Sequence, residues 1–92
     1  MLAKSVIDCS QYGNGFADLL VLTFDGALLM VEIKDGAKCK SKRRLTPLQK
    51  EIALKFGDRF LVAKDAQDAE DICRMPAYRY QYTGIKYIEE TE

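Results

Sequence analysis

Three charged side chains stand where apolar sequence would seem to exclude them: Asp18 ahead of LLVLTF, and Glu32 and Lys34 at the close of LLMVEIK. In an extended strand the side chains alternate faces and rise about 3.3 Å per residue, so Glu32 and Lys34 point the same way about 6.6 Å apart. Two carboxylates beside an ammonium suit phosphodiester hydrolysis. The carboxylates can hold Mg²⁺ while leaving positions for water and a phosphate oxygen. The metal in turn polarises the phosphoryl group and lowers the pKa of bound water. Lys34 can orient the attacking water or stabilise charge that develops in the transition state. Ile33, between the two, can offer its backbone carbonyl to the metal. An isolated E-x-K is more simply a charged strand end meeting solvent, and a lone Asp a loop residue. Here the Asp, the spacing, the apolar flanks and a basic segment that follows all agree.

Bringing Asp18 to the other two is a matter of hairpin register. Residues 18–24 and 28–34 read as strands joined around Asp25-Gly26, and the start of one then lies beside the end of the next. A two-residue turn would put Asp18 opposite Ile33 and point it away from Glu32 and Lys34. A three-residue loop or a bulge restores the shared face, for example with Phe24 opposite Leu28 and Asp18 opposite Lys34. Such an irregularity is expected, with Gly26 or a neighbour in a left-handed conformation. Both strands are apolar at nearly every position, which predicts a central hairpin covered on both faces.

The remaining elements frame that hairpin. Residues 4–9 form a strand followed by a Gly-Asn-Gly loop. Thr46-Pro47-Leu48-Gln49 opens a helix, with Thr as N-cap, Pro in the first position and Gln completing a capping box, and Gly57 closes it. Leu48, Ile52 and Phe56, with Ala53 beside them, form its expected sheet-facing side. Gln49 lies between Ile52 and Ala53 on the helical wheel, so a capping role and a role at the site are both open and compatible. Residues 59–63 form another strand. Asp65 caps a last short helix, aided by Asp68 and Glu70, before Pro76. The alternating Tyr78, Tyr80 and Tyr82, with a turn near Thr83-Gly84, predict a strand or small hairpin.

Composition narrows the alternatives. The 92 residues, 48% of them hydrophobic, fit one domain with a modest core. Histidine is absent, which removes His-based triads and His metal sites. The three cysteines are widely spaced and read as reduced thiols rather than a disulfide or zinc framework. No apolar run is long enough to span a membrane, and a soluble, intracellular protein is expected. Formal charge is zero, yet Lys38, Lys40, Lys42, Arg43, Arg44 and Lys50 fall together without an intervening acid, either as a solvated loop or as a surface for anions.

Gly15-Phe16-Ala17-Asp18, then Glu32-Ile33-Lys34-Asp35-Gly36, then Arg44-Leu45-Thr46-Pro47-Leu48-Gln49 resembles the PD-(D/E)XK nuclease superfamily, in particular its VRR-NUC (virus-type replication-repair nuclease) branch of phage and bacterial proteins. The resemblance spans about residues 6–72. It implies an α/β fold with a restriction-endonuclease-like core, a mixed sheet and flanking helices. The implied activity is that of a Mg²⁺- or Mn²⁺-dependent endodeoxyribonuclease acting on branched or structured DNA. Holliday-junction resolution by a homodimer is the activity of similar stand-alone proteins. Asp18 and Glu32 become metal ligands, Lys34 the catalytic lysine and Gln49 the helix-borne glutamine near the site. Lys38, Lys40, Lys42, Arg43 and Arg44 would then follow the active strand directly and hold DNA phosphates. The implied setting is DNA recombination, repair or phage DNA processing in the cytoplasm of a bacterial or phage-infected cell.

Two departures from the family pattern bear on these expectations. Ala17 stands where the motif has Pro, and the family's N-terminal helix is missing, which leaves residues 1–76 as a minimal nuclease core and 77–92 as a Tyr-rich extension. Either the tail folds over the gap, a second subunit covers it, or the chain is a shortened and inactive version. A homodimer with the tyrosines at the interface is the expectation, base stacking being their other use. The rival function is a DNA-binding or assembly module that keeps the fold without turnover.

Overall fold

The computed structural model describes residues 1–13, 16–35 and 44–91. Four strands, β1 (Ser5–Asp8), β2 (Leu19–Leu22), β3 (Leu28–Ile33) and β4 (Phe60–Ala63), form one sheet in the order β1-β2-β3-β4. The first two pairings are antiparallel and β3–β4 is parallel. The chain reaches β4 through helix α1 (Pro47–Phe56) and a 3₁₀ turn, Gly57–Arg59, and continues into α2 (Ala66–Arg74). The result is an α/β fold with a mixed sheet, and the apolar hairpin β2–β3 is central as expected.

Strand alternation divides the core into two layers. Val21, Leu29, Val31, Leu61 and Ala63 face Ala3 and Ile72, with α2 as the cover. Met30, Phe60 and Val62 face the other way and pack with Ala17, Leu45, Ala53 and Tyr87. Both faces of β3 and β4 are thus dry, which is why these strands are apolar at successive positions rather than alternating. Removing Phe60, which is fully buried, would cost about 3–5 kcal/mol.

The hairpin carries the expected irregularity. Leu22 pairs with Leu28 and Leu19 with Val31, and Thr23 N–H donates to the Ala27 carbonyl at 2.9 Å. That leaves a three-residue loop, Phe24-Asp25-Gly26, with Gly26 at φ 90°. The parity is the one anticipated, and the register is two residues from the example given above: continued by one step, the ladder puts Asp18 opposite Glu32 rather than Lys34.

Both helix starts follow their sequence signals. Gln49 N–H donates to Thr46 Oγ1 at 3.2 Å and Thr46 N–H to Gln49 Oε1 at 2.9 Å. Asp65 accepts from Asp68 N–H, and Asp68 from Lys64 N–H, each at 2.9 Å. The inward side of α1 differs from expectation. Ala53 is fully buried and Ile52 half-buried, while Leu48 and Phe56 are exposed. The line that meets the core is Leu45, Gln49, Ala53, at steps of four, because small Ala53 lets the neighbouring helix approach closely.

The C-terminal stretch is not a strand or hairpin. Pro76–Tyr82 is a 3₁₀ segment and Gly84–Thr91 is a helix, α3. Tyr78 and Tyr80 are exposed, whereas Arg79 and Tyr82, three apart as a 3₁₀ turn demands, are turned inward. Thr83 caps α3 by accepting from Lys86 N–H at 3.3 Å. Gly84, Tyr87 and Ile88 at helical spacing then seat α3 against α1 and β4. A Cβ on Gly84 would lie 2.8 Å from both Ala53 Cβ and Phe60 Cδ1. Meanwhile Tyr82 joins the α2-side core and bonds Asp71, so the tail covers part of the sheet. Among the described residues no helix is long and apolar enough to cross a membrane.

Candidate functional site

At the end of the sheet where β2 begins and β3 finishes, Asp18, Glu32, Lys34 and Gln49 converge. Asp18 lies just before β2 and its Oδ2 accepts the Ile33 N–H at 2.9 Å. This carboxylate replaces the missing strand partner of Ile33 and is fixed at the sheet's margin. Glu32 stands on the α1 face of β3 and is only 4% exposed. Its Oε2 accepts from Gln49 Nε2 at 2.7 Å and lies 3.3 Å from Lys34 Nζ. Lys34 Nζ also donates to Gln49 Oε1 at 3.3 Å.

Gln49 caps the helix, as one of the two compatible readings had it, and its side chain also reaches Glu32 and Lys34. Its Oε1 accepts from the Thr46 backbone to close the capping box, and its Nε2 reaches down to Glu32. The capping geometry fixes the side chain in advance, so the site residue is held by the same bonds that start the helix.

The second oxygen of Glu32, Oε1, is buried and has no hydrogen-bond partner among the described residues. Burial, the largest cause, together with the nearby Asp18 carboxylate, pushes the Glu32 carboxyl above its ordinary pKa, against the pull of Lys34 and Gln49. Buried acceptors left empty are uncommon and costly. A cation against Oε1 and Asp18 would relieve both the orphaned oxygen and the repulsion between the carboxylates. Oxygen-only donors of this kind match a hard divalent ion such as Mg²⁺ or Mn²⁺. Among the described residues no cluster of three or more His, Cys, Asp or Glu side chains is placed to hold an ion alone. Two carboxylates leave the remaining positions to water and substrate, which suits Mg²⁺.

A cleft of about 550 Å³ opens beside the cluster, lined by Ser10, Phe16, Asp18, Thr46, Leu48 and Gln49, among others. It reaches Asp18 and Gln49 directly, while Glu32 sits behind them. Phe16 and Tyr12 meet edge-on, with ring centroids 6.0 Å apart, at the same loop. Sequence reasoning missed Ser10, Phe16 and the exposed Leu48 as cleft walls. The β1–β2 loop carries no periodic signal, and Leu48 was assigned to the core on helical spacing alone. Another hollow, of about 310 Å³, lies at the opposite end of the sheet beside Arg59, Arg79 and Tyr80, far from the paired carboxylates.

Of the basic residues, Arg44 is exposed just ahead of α1. Lys38, Lys40, Lys42 and Arg43 lie outside the described residues, as do Gly15 and Gly36 of the motif. Comparisons with family models, curated proteins and solved structures find no match to this chain.

Proposed function

We propose that this chain is a divalent-metal-dependent endonuclease that hydrolyses phosphodiesters in branched or structured DNA, built on a PD-(D/E)XK-type core. The observation that carries the reading is the buried Oε1 of Glu32 beside Asp18, which has no hydrogen-bond partner among the described residues, with Lys34 and Gln49 ordered around it. Asp18, Glu32 and the Ile33 carbonyl would hold Mg²⁺ or Mn²⁺, which supplies Lewis acidity toward the phosphate and a more acidic bound water.

The chain's own residues divide the rest of the work. Gln49 fixes Glu32 through Oε2 and so turns its other oxygen outward from that bond. Lys34, only 15% exposed at its side chain, brings a localised positive charge to the point where the phosphoryl oxygen gains negative charge, in surroundings where water screens it weakly. The cleft beside Asp18 offers room for the nucleotide that carries the scissile bond, with Phe16 as an apolar wall. The segment between β3 and α1, rich in Lys and Arg, supplies sequence-independent attraction for the phosphate backbone.

The experiment is cleavage of a synthetic four-way junction, a flap and a linear duplex with Mg²⁺ or Mn²⁺, and an Asp18→Asn control. Cutting that favours the branched substrates and vanishes in the control supports the proposal. Metal-bound, folded protein that cuts nothing would move the assignment to a DNA-binding module without turnover.

A further inference from the structure

Along the end of the sheet where Asp18, Glu32 and Lys34 meet, one more cation stands in the row. Ile33 pairs with Ala63 in the parallel ladder between β3 and β4, and Lys34 N–H donates to the Ala63 carbonyl at 3.0 Å. One step further, Lys34 and Lys64 leave their strands side by side, with backbones roughly 5 Å apart. Lys64 is exposed and lines a hollow of about 260 Å³ together with Val62, Tyr87 and Glu90. Val62 and Tyr87 belong to the α1-side core, so Lys64 opens on the face that carries Glu32.

The two lysines differ in what they already hold. Lys34 Nζ is occupied by Glu32 and Gln49. Lys64 uses its backbone N–H to bond Asp68, at 2.9 Å, but among the described residues its ammonium makes no ion pair. Like charges on neighbouring strands repel. A phosphate placed between the two ammonium groups offsets that repulsion and gives Lys64 a charged acceptor.

We propose that Lys64 binds a backbone phosphate of the substrate, the one next to the scissile phosphate on the β4 side, so that the strand being cut runs across the ends of β2, β3 and β4. The proposal rests on the nuclease reading for the identity of the anion. Three features of the fold agree on that path. First, strand order puts Asp18, Lys34 and Lys64 in line, at successive steps of about 4.8 Å. Second, open space flanks the cluster at each end of the line, as the cleft beside Asp18 and Gln49 and as the hollow beside Lys64. Nucleotides on both sides of the scissile bond therefore have room. Third, Asp68 and Glu90 line the same hollow as Lys64, and their like charge confines a phosphate to its Lys34–Lys64 side.

Two measurements on Lys64→Ala test the proposal: binding of a synthetic four-way junction without divalent metal, across a salt series, and steady-state cleavage of the same junction with Mg²⁺. Affinity should fall less steeply with salt, the log–log slope dropping by about one against wild type. KM should rise about two- to fivefold with kcat unchanged, because the contact is made equally before and during the reaction. Lys64→Arg should restore both values, and Glu90→Gln should tighten binding. The melting temperature of Lys64→Ala should not move, since the bond to Asp68 comes from the backbone.

Lys55→Ala, which removes a cation paired with Glu51 on α1, controls for loss of charge alone and should leave the slope as it is. A wild-type slope in Lys64→Ala, or an equal change in Lys55→Ala, overturns the proposal. The nuclease reading fails separately. A wild type that binds the junction and cuts nothing sinks that reading and leaves the slopes to decide for or against Lys64, whereas a wild type that binds no DNA overturns both.

Discussion

At the tip of the β2–β3 hairpin Asp25 receives two guanidinium nitrogens of Arg79, at 2.8 and 2.6 Å, whereas at the other end of the same strands Glu32 keeps one buried oxygen without a partner among the described residues. Both ends set a carboxylate against a cation, yet their electrostatic outcomes are opposite. The Arg79 guanidinium holds the Asp25 carboxyl well below the usual range, while burial pushes Glu32 upward. Arg79 also donates through Nε to the Ile72 carbonyl at 2.6 Å, so it ties the hairpin tip to the end of α2 and leaves nothing for a ligand to complete. The Glu32 cluster is comparably well ordered but incomplete. Satisfied polar networks stitch elements together; a network that is ordered and one bond short is what a binding site looks like before its ligand arrives.

The sharpest way to break this comparison is Asp18→Asn. The amide oxygen of Asn can still accept the Ile33 N–H, so the sheet margin should survive and the melting temperature should hold or rise. Metal-dependent cleavage should fall by at least about 10²-fold, the scale expected when a charge that acts on the transition state is removed. An unchanged rate would show that the ordered carboxylates are structural and that the two ends are not different in kind.

Next in size is a substitution that disturbs the support of the site rather than the site. Gly84→Val would press a side chain onto Ala53 and Phe60, where even a Cβ meets atoms at 2.8 Å. Overpacking of this kind costs about 1–3 kcal/mol, readable in urea denaturation. Ala53 lies one helical turn beyond Gln49, so displacement of α1 should also lower cleavage per folded molecule. The corresponding change at the hairpin tip, Arg79→Ala, should lower the melting temperature by several degrees and leave cleavage per folded molecule intact.

These contrasts also mark what could be read from the chain. The three-residue loop followed from one requirement, that Asp18 share a face with Glu32, and the caps at Thr46 and Asp65 followed from side chains that bond within three residues. Such features are local, so the sequence displays them. The tail was misread because Tyr78, Tyr80 and Tyr82 imitate strand alternation, whereas the decisive contacts, Gly84 on Ala53 and Tyr82 on Asp71, join residues far apart in sequence. Leu48 and Phe56 were misassigned for the same reason: helical spacing gives a stripe but not which neighbour is close enough to bury it. The Asp25–Arg79 clamp, between residues 54 apart, left no sequence signal, and neither did the cleft walls.

Acid titration separates the two ends further. Asp25 has a folded pKa depressed below the ordinary aspartate value near 3.8. Its contribution is therefore fully present above that value and is lost as pH falls through the lower, folded one. The melting-temperature gap between wild type and Arg79→Ala should be constant from pH 7 to about pH 5 and close progressively below about pH 4. A gap that persists unchanged far into acid would mean that Arg79 acts through its carbonyl contacts and not through Asp25.

Glu32 should behave in the reverse sense, and with the smallest effect. Its folded pKa lies above the ordinary glutamate value near 4.5, so between those two values the folded state retains a proton that the unfolded state has released. Stability of the metal-free protein from this group accordingly falls as pH rises through that window. Glu32→Gln keeps an oxygen for Gln49 Nε2 and leaves Lys34 its bond to Gln49 Oε1, so the network loses the buried charge and little else. In the absence of divalent metal the variant should melt slightly higher than wild type at neutral pH, and the advantage should disappear as pH is lowered toward 4.5. Saturating Mg²⁺ or Mn²⁺ should stabilise the wild type alone, since binding to the folded state adds stability only where the ligands are present. A variant that is less stable at every pH, with or without metal, would mean that Glu32 is held in place for the fold, as Asp25 is, and the two ends of the sheet would then share one role.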